Sequence, residues 1–114
     1  RMQELQNDYV SAIETYQEYL NQDPLSVEAM IHMGVCFKHL KKFDKAINIM
    51  EQALKIMPVS ADTRHELAYV FEEAGDKNRA IEYLNQALEI WKDADSEFIP
   101  AHKARKKLAK LQPV

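Results

Sequence analysis

Four histidines, one cysteine and a basic stretch near the end are the side chains in this 114-residue chain with the most chemistry to offer. Imidazole is the commonest metal ligand and ordinarily titrates near neutral pH. His32 and His39 stand seven residues apart, about 10 Å of rise on a helix. That is too far to share one ion. Asp93, Asp95 and Glu97 alternate as in a calcium loop, but the glycine and the distal bidentate glutamate are absent. They read as an acidic turn between helices. Cys36 has no second cysteine to pair with, and its neighbours Val35 and Phe37 suit a small buried thiol. A lone cysteine also fits a reducing compartment. No glycine-rich phosphate loop, nucleophile elbow or His-Glu zinc motif occurs. The expectation is a protein that is not an enzyme and uses no cofactor or metal.

The charges are more informative. All 18 acidic residues precede residue 101, and five of the 15 bases follow it: Lys103, Arg105, Lys106, Lys107 and Lys110. The acidic body disfavours general nucleic-acid binding. The basic segment keeps one alternative open, a site for nucleic acid or an anionic surface. The plainer reading of that segment is a solvated helix face.

These side chains need elements to position them. The chain is 46% hydrophobic and 29% charged, enough for one domain with a core and a charged surface. Two glycines and four prolines are sparse punctuation, which predicts long helices joined by short turns. No run of 18 apolar residues is present, so membrane insertion is not expected. No signal peptide is visible, and the expected location is cytoplasmic. The start at Arg1 suggests a piece of a longer chain.

Residues 46–56 read AINIMEQALKI and residues 80–90 read AIEYLNQALEI. Aligned without gaps, 27–60 and 61–94 share Phe37/Phe71, Ala46/Ala80, Ile47/Ile81, Gln52/Gln86, Ala53/Ala87, Leu54/Leu88 and Ile56/Ile90. Gly34/Ala68, Met33/Leu67 and Met50/Leu84 keep size or polarity. A fixed period of this kind marks stacked supersecondary units. Met30, Met33, Phe37 and Leu40 have the spacing of one helical face, and residues 43–57 carry a wider stripe of the same period. Gly75 falls in the turn of the second unit, where it ends a helix without a Cβ penalty. Pro24 and Pro58 fall at the handover between units. The recurring small residues Ala46, Ala53, Ala80 and Ala87 let neighbouring helices approach, and overpacking there costs about 1–3 kcal/mol.

This pattern resembles the tetratricopeptide repeat family. The unit 27–60 supplies Met30, Met33, Gly34, Phe37, Ala46, Met50, Ala53 and Pro58. The unit 61–94 supplies Leu67, Ala68, Phe71, Ala80, Leu84 and Ala87. Arg64 departs from the family's large apolar residue, Tyr19 from its alanine, and Lys92 from its proline, so the helix before Lys92 is expected to continue through Trp91. The resemblance implies an all-α right-handed solenoid of helix-turn-helix repeats. Its parts are a partial repeat at 1–26, repeats at 27–60 and 61–94, and a capping helix within 95–114. In that last helix Phe98, Ala101, Ala104, Leu108 and Leu111 form an apolar stripe, Ser96 is a candidate cap and Pro100 sits in the first turn. The period and turn motif do not match ankyrin or pentatricopeptide arrays.

The resemblance further implies binding in a concave groove lined by the first helix of each repeat. Its positions map onto Glu28, Ile31, His32, Val35, Lys38 and His39, then onto Asp62, His65, Glu66, Tyr69, Glu72 and Glu73. The capping helix adds Lys103, Lys106 and Lys107. The expected partner is a protein, engaged through an extended peptide or a helix. The family's carboxylate clamp is not expected, because Ile31, Val35 and Glu66 replace its polar residues. Two alternatives remain: a structural or self-associating segment that homodimerises through the edge formed by Val10, Ile13, Tyr16 and Tyr19, and nucleic-acid binding through the basic helix.

Overall fold

The computed structural model describes the backbone of residues 2–93 and 98–112, with side chains from Gln6 onward. Every regular element among them is an α-helix: α1 (Met2–Gln22), α2 (Val27–His39), α3 (Phe43–Ile56), α4 (Ala61–Glu73), α5 (Lys77–Ile90) and α6 (Ile99–Leu111). They form two compact units, Arg1–Pro58 and Val59–Val114.

The first unit holds α1, α2 and α3. The loop containing Pro24 separates α1 from α2, and Ser26 begins α2 by accepting a hydrogen bond from the Ala29 N–H at 3.2 Å. That bond satisfies one of the donors a helix start leaves unpaired. Leu20, Ala29, Met30, Met33 and Ala53 are buried together, flanked by Ile13, Tyr16, Val27, Phe37 and Ile49. Gly34 lets α2 approach α3: a Cβ there would lie 2.7 Å from Met50 Cε and 2.9 Å from its Cγ. At the end of α2 the chain turns through Lys41, with φ at 61°. The Lys42 N–H reaches back to the Phe37 carbonyl at 2.9 Å, closing a Schellman-type cap.

The second unit repeats this plan. Ser60 caps α4, accepting from the Thr63 N–H at 3.2 Å, and the two hydroxyls lie 2.8 Å apart. Gly75, with φ at 91°, makes the turn, and the Asp76 N–H bonds the Phe71 carbonyl at 2.8 Å. Asp76 then caps α5 through the Arg79 N–H at 3.1 Å. Ala68, Leu84 and Ala104 form the buried centre, with Tyr83, Leu88, Trp91, Leu108 and Leu111 packed around it. The recurring alanines behave as expected: Ala46, Ala53, Ala80 and Ala87 are all fully buried.

Arg64 does not leave a hole where an apolar residue was expected. Its Nε donates to Gln86 Oε1 on α5 at 3.0 Å and its Nη1 to the Ser60 carbonyl at 3.2 Å. Helix α5 ends at Ile90, one residue before the expected continuation, with Trp91 as its C-cap and its N–H still bonded to the Ala87 carbonyl. Helix α6 starts after Phe98, with Pro100 in the first turn and Ala101 and Ala104 fully buried. Ser96, Asp95 and Glu97 lie outside the described residues.

Candidate functional site

In the first unit the candidate residues lie along α2. Glu28, His32 and His39 are exposed, while Ile31, Val35 and Lys38 are half-buried. Two of them are already engaged by α1. Tyr16 stacks on His32 with ring centroids 5.6 Å apart, and Tyr9 stacks on His39 at 4.6 Å with the planes 10° from parallel. Tyr9 and Tyr16 are seven residues apart, as are His32 and His39, so two helices side by side bring both pairs into register. That matched spacing was the available signal in the sequence. His32 Nε2 also lies 3.8 Å from Glu28 Oε1, an exposed pair of little energetic weight. Beside these groups, Tyr16, Tyr19, Glu28 and His32 line an open cavity of about 330 Å³.

In the second unit the candidate residues converge more tightly. Lys107 on α6 reaches α4, where its Nζ lies 2.9 Å from Glu72 Oε1 and 5.2 Å from the centre of the Tyr69 ring. Both ends of the ion pair are about three-quarters shielded from water, so it is less screened than a surface pair. The ammonium also gains from the face of the aromatic ring. Burial pushes the Tyr69 hydroxyl above its ordinary range, with Glu66 and Glu72 adding to the rise and Lys107 opposing it. Lys103 and Lys106 stay exposed on α6.

His65 departs from the expectation that it lines a groove. It is only 7% exposed, tilted against Tyr69 at 4.8 Å and edge-on to Trp91 at 5.5 Å. The indole that follows α5 packs against this buried ring. Its Nε2 is buried with no hydrogen-bond partner among the described residues. Burial holds its pKa below the ordinary histidine value, against the pull of Asp62 and with help from Lys103 and Lys107. Trp91 was not among the candidate residues. Only the three-dimensional course of the chain after α5 brings it to His65.

The exposed remainder of α4 is a strip. Asp62 and Glu73 are exposed and Glu66 and Tyr69 half-buried, at intervals of four, three and four residues along one side of the helix. The other side, with Thr63, Leu67, Val70 and Phe71, is buried. The strip therefore offers three carboxylates around one aromatic ring. Cys36 is buried, and burial raises its thiol pKa, which makes it a poor nucleophile. No cluster of three metal-ligating side chains occurs among the described residues. No described helix is long and apolar enough to cross a membrane.

Known proteins agree with this architecture. The tetratricopeptide repeat family model matches residues 5–58 and 39–98. The cattle (Bos taurus) BBSome complex member BBS4 is 34% identical over 85 residues, covering 70% of this chain but only 15% of the relative's length. The Yersinia enterocolitica type III secretion chaperone SycD, solved with a peptide of the translocator YopD, superposes with a TM-score of 0.83 at 15% identity. That match covers 92% of this chain and 80% of SycD. The first repeat domain of Spaghetti (RPAP3), solved with the HSP90 peptide SRMEEVD, superposes with a TM-score of 0.77 at 18% identity, covering 93% and 79% of the two chains. The matched family model spans most of this sequence, and the chain belongs to the tetratricopeptide repeat family.

Proposed function

We propose that this chain is a protein-interaction module that binds a lysine- or arginine-bearing peptide or helix on the exposed strip of α4. The observation that carries this reading is the strip itself: exposed Asp62 and Glu73 and half-buried Glu66 and Tyr69 share one side of a helix whose other side is buried. Carboxylates around an aromatic ring suit a cationic side chain, by Coulomb attraction and by stacking on the ring. Lys107 already makes such a contact within the molecule, to Glu72 and Tyr69. The solved complexes of SycD and Spaghetti support peptide binding as a use of the fold. In this reading the protein is a binding module rather than an enzyme, and it works in the cytoplasm with Cys36 reduced.

The test is a peptide array of acidic, neutral and basic sequences, followed by titration of the best binder. Basic peptides are expected to bind, and the Tyr69→Ala, Glu73→Lys double variant is expected to lose them with its helix content unchanged. Retained binding in that variant would move the site elsewhere. Preference for acidic peptides would instead favour the exposed cations Lys103 and Lys106 of α6.

Self-association is a second reading, favoured by one observation. On α1, Val10 is 45% exposed and Tyr19 53% exposed, leaving apolar surface on two sides of the helix. Light scattering over a concentration series tests it: a mass that stays monomeric throughout removes the reading.

A further inference from the structure

The first unit has a second concave surface, on a side of α2 away from its candidate residues. At 100° per residue, Met33, Phe37 and Leu40 point on average more than a third of a turn away from His32, Val35 and His39. There α1, α2 and the start of α3 enclose a groove of about 490 Å³. Val10 and Ile13 from α1 join Phe37 and Met33 in an apolar floor. Glu14 and Glu18, one helical turn apart and both exposed, stand on the α1 side. Lys42 and Lys45, also exposed, stand on the α3 side, with Lys45 Nζ 5.9 Å from the centre of the Phe37 ring.

We propose that this groove binds an amphipathic helix of a partner protein. The helix presents an aliphatic ridge to the floor, basic residues toward Glu14 and Glu18, and acidic residues toward Lys42 and Lys45. The commitment rests on charge: a groove with one negative and one positive rim selects an occupant of mixed charge and rejects helices of uniform sign. Laying the apolar face of a helix into such a groove is a standard recognition mode. Because both rims are exposed, the charges contribute selectivity and salt dependence, while the floor supplies most of the affinity.

The probe is a fluorescein-labelled helical peptide with leucines on one face, lysines along one flank and glutamates along the other. Two comparison peptides keep the leucine face and carry only lysine or only glutamate on the flanks. Fluorescence anisotropy is expected to rank the mixed peptide tightest. The Glu14→Lys, Glu18→Lys variant makes both rims basic. It should weaken the mixed peptide by about tenfold and move the preference to the all-glutamate peptide. Val10→Ser should weaken all three peptides alike. All titrations use the Tyr69→Ala, Glu73→Lys background, which removes lysine binding at the α4 strip and so separates this groove from it. Val10, Glu14, Glu18 and Glu73 are exposed and Tyr69 is half-buried, and circular dichroism verifies that the helices persist in every variant. Failure of the mixed peptide to bind overturns the proposal, as does unchanged binding in the Glu14→Lys, Glu18→Lys variant. A dimer of the unmodified protein that this variant dissociates would assign the groove to a second copy and also overturn it.

Discussion

Gly34 faces Met50 between α2 and α3, whereas one repeat later Ala68 and Leu84 share the buried centre of the second unit. The first pair places a long flexible side chain against no side chain at all. The second pair shortens the long residue and adds a methyl. The turns differ in the same spirit. Gly75 takes a positive φ at little steric cost, while Lys41 holds the equivalent position with a Cβ in place. Asp76 caps α5, but Lys42 provides no side-chain cap for α3. Phe71 is stacked under Tyr83 and 5% exposed, while Phe37 stays half-buried at the floor of the α1–α3 groove. One repeat pattern therefore tolerates two local solutions, and the second unit carries the better turn and cap chemistry.

Transplanting residues between the units tests that contrast. The largest effect is expected at the Gly34–Met50 contact. Gly34→Ala alone should destabilise by about 1–2 kcal/mol, because the overlap with Met50 outweighs the gain in helix propensity. Adding Met50→Leu recreates the pair of the second unit and should recover that loss. Urea denaturation of both single variants and the double variant gives the coupling, and simple additivity would show that the two sites do not share their space. Next come the turns. Lys41→Gly should stabilise by about 1 kcal/mol and Gly75→Ala should destabilise by about the same amount, since only glycine takes the left-handed conformation without strain. Equal effects of the same sign at the two turns would contradict the assignment. Lys42→Asp, which copies the cap of α5, should add about 0.5–1 kcal/mol.

The smallest effect is a pH dependence confined to the second unit. His65 has its folded pKa held below the unfolded value by burial. The unfolded chain therefore takes up the proton first. Its contribution to stability is complete above the ordinary histidine value and is lost as pH falls through that value toward the folded one. Trp91 is the only tryptophan and touches His65, so its fluorescence reports the change directly. Acidification should lower the melting temperature and alter Trp91 emission in the native protein, and His65→Phe should remove most of both effects.

Much of the fold was legible because it rests on period. The 34-residue repeat, the buried alanines, the prolines at the handovers and Gly75 in its turn all express local rules that a single sequence displays. Lys41 was not legible as a left-handed residue, because nothing in its type announces that conformation. The site was less legible than the fold. Glu66, Tyr69, Glu72 and Glu73 were placed correctly on one helix, but their partners depend on how α6 returns to α4. Lys107 reaches Glu72 across 35 positions in the chain, and no periodicity reports such a contact. His65 occupies a position where the resemblance implied an exposed contact, but its ring is buried against Tyr69 and Trp91.

The most direct test of the α4 strip as the binding surface is a two-dimensional amide NMR titration of the labelled protein with a basic peptide. The shifts are expected to concentrate at Asp62, Glu66, Tyr69 and Glu73, with the Lys107 contact perturbed as the peptide competes for Glu72 and Tyr69. Saturable shifts confined to α1 and α2, with α4 silent, would contradict the assignment.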